Sequence, residues 1–228
     1  MAGHIRPALF TFLRELARNN NREWFQANQA RYEAAVREPL LRFIADVGDF
    51  LPEISPHYRA DARKVGGSLF RIHRDVRFAK DKSPYKTAAG IHFRHERAKD
   101  VHAPGFYLHL EPGEVFMGAG IWHPERESLA LIREAVAADG GEPWLKAISD
   151  PDFQATYSLD GDSLKRPPRG FDPDHPVIED LKRTDFIGVA DLTQKQVCAA
   201  DFLDSFQQYC RKSTSFMEFL TGAVRLPW

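Results

Sequence analysis

Residues 106–122 read Phe-Tyr-Leu-His-Leu-Glu-Pro-Gly-Glu-Val-Phe-Met-Gly-Ala-Gly-Ile-Trp. Apolar and polar side chains alternate along 106–111 and again along 115–122, which is the period of a half-buried β-strand. The tetrapeptide Glu-Pro-Gly-Glu at 111–114 separates the two runs and is a turn signal. The stretch therefore predicts two antiparallel strands with one apolar face, which other parts of the chain must cover.

The same alternation occurs in residues 69–74 and 88–94, so we predict an antiparallel meander of about four or more strands. The apolar parity places Leu108, Leu110, Met117 and Ile121 against helices. The opposite parity collects polar and aromatic side chains on one open face: Arg71, His73, His92, Arg94, Tyr107, His109 and Trp122. Gly118 and Gly120 share that face, which indicates close approach by either a ligand or the C-terminal half of the chain.

Helical patterns flank the predicted strands. Apolar residues at i, i+3, i+4 and i+7 in 9–16 predict a first helix, and Asn20 with Glu23 predicts the cap of a second, which Pro39 interrupts. Further helices are predicted after Pro124 and from Thr193 nearly to the end of the chain. Helices that bracket an antiparallel sheet define an α+β fold, packed on one sheet face by the N- and C-terminal helices, and we predict a single domain over residues 1–228.

Composition narrows the classes of partner and the cellular location that the sequence predicts. The 228 residues are 43% hydrophobic and 28% charged with a net charge of −1, so overall charge favours neither nucleic acid nor an anionic membrane. No apolar run reaches membrane-spanning length, and no membrane partner is expected. Cys198 and Cys210 are predicted not to form a disulfide, and unpaired cysteines are typical of proteins in a reducing compartment. The N-terminus lacks signal-peptide features, and the two observations together predict a cytoplasmic protein. The sequence does not predict the oligomeric state.

A dense cationic cluster lies between residues 68 and 87. Asp75 and Asp81 are its two acids, against six cations: Arg71, Arg74, Arg77, Lys80, Lys82 and Lys86. Two carboxylates cannot neutralise six cations, and arginine matches oxyanions with a rigid fork of donors. The cluster therefore predicts an anion-binding site, with a network of ion pairs that ties a loop to the sheet as the alternative.

The leading functional hypothesis is that the protein, whether or not it is an enzyme, binds a nucleotide or a small molecule that carries a phosphate or carboxylate group. Its anion would be held by Arg71, Arg74, Arg77, Lys82 and Lys86. Tyr85 or Trp122 would stack on the ligand, with Tyr107 on the same face and Phe78 a further aromatic of the cluster. His73, Asp75 or His109 would transfer protons.

A second hypothesis is a non-enzymatic module that binds nucleic acid or a partner protein through the same patch, and a third is a salt-bridged scaffold without a ligand. Shape distinguishes the first two. A recessed cluster that faces Gly118 and Gly120 favours a small ligand, whereas a flat one with aligned aromatics favours a strand of nucleic acid.

The same region is rich in histidine, which raises the question of a metal site. Five histidines fall between residues 73 and 109, but their spacing matches no zinc motif and their neighbours are cationic, so we predict no structural metal. Walker, GxGxxG and GxSxG patterns are absent from the sequence, which indicates no particular cofactor and no serine nucleophile.

Several motifs together resemble one family. They include the segments at 19–25, 70–78, 80–82, 84–87, 106–113, 118–122 and 166–171. In order, these segments resemble the bacterial and fungal family catalogued as domain of unknown function 2461, over nearly the whole chain. Ala79 stands where that family commonly has serine, so a hydroxyl at 79 is not needed for any chemistry. The resemblance implies a single-domain soluble protein and carries no established activity.

Overall fold

The hairpin at residues 105–121 lies at the centre of a six-stranded sheet in the computed structural model, which describes residues 3–77, 79–97 and 102–228. The strand order is β1-β2-β3-β4-β6-β5, and every neighbouring pair is antiparallel. The strands are β1 (Tyr58–Arg59), β2 (Ala89–His95), β3 (Gly105–Glu111), β4 (Glu114–Ile121), β5 (Ser158–Asp160) and β6 (Phe186–Leu192). The predicted antiparallel α+β fold is confirmed.

Helices precede, interrupt and follow the sheet. The N-terminal set is α1 (Pro7–Arg18), α2 (Arg22–Ala27), α3 (Gln29–Tyr32), a π-helical turn (Glu33–Arg37) and α4 (Glu38–Ile54). The middle set is α5 (Arg126–Ala137), a 3₁₀ turn (Ala138–Gly141), α6 (Glu142–Ile148), α7 (Pro151–Gln154) and α8 (Ile178–Leu181). The C-terminal set is α9 (Gln194–Val197), α10 (Phe202–Lys212) and α11 (Thr214–Ala223). Among the helices of the described ranges, none combines the length and apolarity that crossing a membrane would require.

The apolar face of the sheet packs against these helices. Leu108, Leu110, Met117 and Ile121 have no exposed surface, which confirms their predicted burial. Helix α1 contacts β3, α11 contacts β4, and α4 packs on α10. The rings of Phe93 in β2 and Phe206 in α10 lie 5.4 Å apart, so the sheet and the C-terminal helices share one core. The other face of the sheet is left open in its central strands.

The predicted strand at 69–74 is wrong. These residues, all of them described, make only isolated bridges, from Leu69 to Ile91 and from His73 to Tyr85. The segment turns back on itself instead: Arg74 N donates to Pro84 O at 2.9 Å, and Lys86 N donates to Ile72 O at 2.8 Å. Residues 68–70 do bond to β2, where Phe70 N donates to Gly90 O at 2.9 Å and His92 N donates to Ser68 O at 2.8 Å, but residues 72–74 pair with residues 84–86 instead. Alternation predicts an extended backbone but not its partner.

The predicted helix boundaries need three corrections. Asn21, not Asn20, caps α2, because its side chain accepts from Trp24 N at 2.9 Å. Pro39 does not end the second arm: the helical backbone continues through it, and the irregularity is the π-helical turn directly before it, where the regular ladder of helix hydrogen bonds is interrupted. The single helix predicted after Thr193 is divided into α9, α10 and α11, although the Thr193–Gln196 capping box is present.

Asn20 has a different role. Its side-chain Nδ2 donates to Tyr85 O at 2.9 Å, and its Oδ1 accepts from Tyr85 N at 3.1 Å. The ring of Tyr85 also stacks on Phe25 of α2, with 4.1 Å between centroids. The N-terminal helices therefore hold the end of the cationic segment in place beside the sheet.

Candidate functional site

A groove of about 770 Å³ runs along the open face of the sheet. Because residues directly opposite in a ladder share a face, the odd positions of β3 and the even positions of β4 line it together, as Tyr107 and Gly118 do. Val189 and Asp191 of β6 line one side, Phe70 lines the β2 side beside Tyr107 and His92, and Trp122 lies where β4 ends. The groove is thus a direct product of the alternation that builds the sheet.

A smaller recess of about 330 Å³ adjoins the groove. Both are lined by Phe70, Lys86, Tyr107 and His109. The recess adds side chains from the cationic segment, namely Arg74, Tyr85 and Thr87. No carboxylate is among the described residues that line it, whereas Glu114, Asp160 and Asp191 line the groove.

The acids of the cationic segment pair with two of its arginines. Arg77 binds Asp75 with two parallel contacts, and Arg74 binds Asp81. The hydrogen bonds from Arg77 lower the pKa of Asp75, and those from Ser83, followed by Arg74, lower the pKa of Asp81. Lys82 lies elsewhere, with its Nζ donating to Val76 O at 2.9 Å. The cluster is thus partly neutralised within itself.

This pairing leaves four cations of the segment without an ion pair among the described residues, and Lys86 is the one of the four that lines the groove and the recess. It is half-buried, it lines both the groove and the recess, and it makes no ion pair with any residue in the described ranges. Its Nζ lies 5.2 Å from the centroid of the Phe70 ring, a cation–π contact. Burial, and secondarily the charge of Arg71, lowers the pKa of Lys86. A partly desolvated ammonium without a counter-ion favours the approach of an anion.

A chain of hydrogen bonds connects the floor of the groove to the β3–β4 turn. Tyr107 OH lies 3.0 Å from His109 Nδ1, and His109 Nε2 lies 3.4 Å from Glu111 Oε2. Thr87 Oγ1 donates to Glu111 Oε1 at 2.6 Å. Burial raises the pKa of Tyr107 to about 12, so its hydroxyl stays protonated at neutral pH. The chain can therefore carry a proton between His109 and a molecule in the groove.

His92 lines the groove at the opposite end from the turn. Its ring occupies the space above Gly105, where a Cβ would overlap the imidazole Nε2 and lie 2.7 Å from Cδ2. His92 is only 6% exposed, and its Nδ1 has no hydrogen-bond partner in the part of the chain that the structure describes. Burial, together with Arg94, lowers the pKa of His92 to about 4, so this histidine is neutral at physiological pH.

The depressed pKa of His92 makes stability depend on pH. The unfolded chain binds this proton near 6.5 but the folded chain only near 4, so acidification between those values favours unfolding. Between pH 7 and pH 5, the wild-type protein should lose about 2 kcal/mol more of its unfolding free energy than His92→Gln does. Urea titrations of both proteins at the two pH values measure this difference. Equal losses in the two proteins would contradict it.

The structure brings together six of the predicted ligand or proton-transfer residues: Arg74, Tyr85, Lys86, Tyr107, His109 and Trp122. Arg71, His73, Asp75, Arg77 and Lys82 line neither the groove nor the recess as the described residues form them. The expected common surface of Arg71 and His73 with His92 and His109 is therefore wrong, because the chain leaves the sheet after Phe70. The exposed ring of His73 instead lies beside the stacked rings of Phe25 and Tyr85, at centroid distances of 6.2 Å and 5.2 Å. Phe78 is outside the described residues.

The two glycines of β4 have different surroundings. A Cβ on Gly120, which has a φ of +133°, would overlap the Phe186 carbonyl oxygen and lie 2.9 Å from Ile187 Cα. A Cβ on Gly118 would meet only Tyr107 atoms, at 3.7 Å and beyond. Close approach by the C-terminal half of the chain therefore explains Gly120, while Gly118 keeps the floor of the groove low.

Sequence reasoning missed two groups near the groove. Glu114 faces Glu111 across the hairpin, and the atoms that His109, Glu111 and Glu114 offer as ligands lie within 4.8 Å of one another. The turn signal at 111–114 could have revealed this pairing. The second group is His123 with the buried Asp185, joined through Nδ1 and Oδ1 at 2.7 Å. These two residues are 62 positions apart, and no local pattern connects them.

Comparison with known proteins yields one match. A family model described as a conserved hypothetical protein (DUF2461) matches residues 8–219. No curated protein and no solved structure matches the chain.

Proposed function

The chain belongs to the DUF2461 family, and we propose that it binds an anionic small molecule, one that carries a phosphate or carboxylate group, such as a nucleotide. The observation that carries the proposal is the recess of about 330 Å³, which is lined by Arg74 and Lys86 and by no carboxylate of the described residues. An anionic group there would supply Lys86 with the counter-ion that it otherwise lacks.

The adjoining groove supports a ligand with an organic body. Tyr107, Phe116 and Trp122 offer rings along it, and Trp122 is 51% exposed. A planar group could stack on these rings while its anion reaches Lys86. The site is concave rather than a flat row of aromatics, which favours a small molecule over a strand of nucleic acid.

His109 is the side chain on which any reaction of this ligand would depend. It lines both the groove and the recess, and Tyr107 and Glu111 hold its two ring nitrogens. The imidazole could therefore accept a proton from a bound molecule at the point where the anion and its body meet. A reducing, cytoplasmic location accompanies the proposal, since Cys198 and Cys210 are free thiols.

Anion-dependent stabilisation tests the proposal. At a hundredfold excess over Kd, an anion that binds only the folded state adds about 2.7 kcal/mol, which raises the Tm by roughly 5–10 °C. Inorganic phosphate and adenosine monophosphate should therefore raise the Tm more than chloride does at matched ionic strength. Lys86→Met and Arg74→Ala should each abolish most of that difference. In the absence of anion, Lys86→Met should be at least as stable as the wild type, because it removes a partly desolvated charge.

Arg77→Ala is the matched control. It removes a guanidinium of the same segment that pairs with Asp75 and does not line the recess. Phosphate also stabilises proteins by exclusion from their surfaces, an effect that all variants share, so the comparison among variants decides. If Lys86→Met and Arg74→Ala keep the full anion-dependent shift shown by Arg77→Ala, the recess is not an anion site and the segment serves only as a scaffold.

A further inference from the structure

We propose that His109, Glu111 and Glu114 form a binding site for an exchangeable divalent transition-metal ion at the turn end of the groove. The ion would be of the Mn²⁺ or Zn²⁺ class. The inference rests on the hairpin geometry and on the charge of the groove. It does not depend on the anion proposed for the recess.

The strand register places the three side chains together. His109 and Glu111 are two residues apart in β3 and point to the same face, and Glu114 of β4 is directly opposite Glu111. Their ligand atoms lie within 4.8 Å of one another. A bound ion about 2.1 Å from each ligand atom would bring the ligand atoms to about 3.0–3.4 Å from one another. Rotation of the side chains, without movement of the backbone, would be enough to shorten the distances to that range.

The charges at this end of the groove favour a cation. Two carboxylates directly opposite each other on one sheet face destabilise the strand pair unless something compensates them. Asp191, which is opposite Phe116 near the turn, adds further negative charge to the lining, whereas Asp160 lies at the far end of the groove. Lys86 is the single lysine or arginine that lines the groove within the described ranges, so the acids outnumber it. A concave surface with excess negative charge concentrates cations from solution.

Neighbouring side chains already orient the ligand atoms. Tyr107 OH lies 3.0 Å from His109 Nδ1, which turns Nε2 toward Glu111. Thr87 holds Glu111 Oε1 at 2.6 Å, which leaves Oε2 facing the histidine. Metal-binding histidines and carboxylates characteristically have such outer partners, which fix the ring orientation and the tautomer.

The donor set indicates the class of ion. One imidazole nitrogen with two carboxylate groups suits Mn²⁺ or Zn²⁺ better than the all-oxygen preference of Ca²⁺ or the thiolate preference of Cu⁺. Three protein ligands would leave coordination positions open toward the groove, as exchangeable metal sites do. The expectation of no structural metal was based on histidine and cysteine spacing along the chain and on cationic neighbours. This ligand set arises across the hairpin instead, where its own two glutamates are the nearest charges.

Metal titration tests the site. Chelator-treated protein is titrated with Mn²⁺ while free Mn²⁺ is followed by electron paramagnetic resonance, and with Zn²⁺ by calorimetry, in buffer without phosphate. The wild-type protein should bind one equivalent of at least one of the two ions. Glu111→Gln and Glu114→Gln should each weaken that binding by about tenfold or more. Both substitutions preserve side-chain shape, and a Tm measurement confirms that each variant is folded.

Asp160→Asn is the matched control, since it removes a carboxylate that lines the same groove at its far end, outside the ligand set. This variant should retain stoichiometric binding with nearly unchanged affinity. Three results would overturn the proposal: no saturable binding of either ion by the wild type, wild-type affinity in both glutamine variants, or an equal loss in Asp160→Asn. The metal titration contains no phosphate or other added ligand anion, so a protein that binds neither metal ion could still bind an anion in the recess, and the two tests can fail separately.

Discussion

Replacement of Gly120 by alanine should lower the unfolding free energy by about 3–5 kcal/mol, with a fall in Tm of roughly 10 °C or more. Gly120 has a φ of +133°, which L side chains rarely adopt, and its added Cβ would overlap the carbonyl oxygen of Phe186. That oxygen belongs to β6, which is paired with β4 along its whole length, so it cannot move away without disrupting the ladder. Urea titration and thermal melts measure the effect.

Gly118→Ala is the control for this experiment. Gly118 lies two residues earlier in the same strand, is also buried, and has room for a Cβ at ordinary contact distance from Tyr107. Its unfolding free energy should stay within about 1 kcal/mol of the wild type. Similar losses in both variants would mean that intrinsic strand preference, rather than the approach of β6, accounts for Gly120.

Asp185→Ala should cost about 2–4 kcal/mol of unfolding free energy. The Asp185 side chain is 1% exposed and accepts from His123 N at 2.6 Å, from His123 Nδ1 at 2.7 Å and from Asp162 N at 2.9 Å. His123 has a φ of +48°, and it would lose the two hydrogen bonds that hold that conformation. Trp122 stacks on His123 with 4.1 Å between the rings, so its fluorescence should change as well.

Asp160→Ala provides the comparison for Asp185. Asp160 is exposed at the end of β5 and accepts a hydrogen bond from Gly161 N at 2.7 Å. Its removal should cost no more than about 1 kcal/mol. If Asp185→Ala costs equally little unfolding free energy, water replaces the lost acceptor, and the buried carboxylate is not what holds His123 in its conformation.

The sheet could be predicted from the sequence because burial on one face imposes a period of two. Leu108 and Met117 satisfy that period on neighbouring strands, and the turn at 111–114 sets their register. The open face followed from the same parity, which is why Tyr107, His109 and Trp122 were expected on it and are found there. Apolar periodicity and capping signals then placed helices before and after the sheet, although their boundaries needed the corrections given above.

Other features depend on contacts between distant parts of the chain. Residues 69–74 alternate like a strand, but only Leu69 and Phe70 bond to β2, and residues 72–74 pair with residues 84–86, a choice that local pattern does not determine. Which cations remain after internal pairing depends on the loop geometry, so Lys86 could not be separated from Arg77 in advance. The contact of His123 with Asp185 joins the end of β4 to the start of β6, its neighbour in the sheet, and no pattern in either segment alone predicts it.

The double hydrogen bond between Asn20 and Tyr85 determines how short a functional fragment could be. One side-chain amide satisfies both backbone groups of a residue that is 65 positions later and that lines the recess. A fragment that began after α2 would contain the sheet, the groove and Lys86, yet it would lack the support for one wall of the recess. If the recess binds the proposed anion, the minimal binding unit therefore extends back through the first two helices, the first of which also covers the apolar face of the sheet.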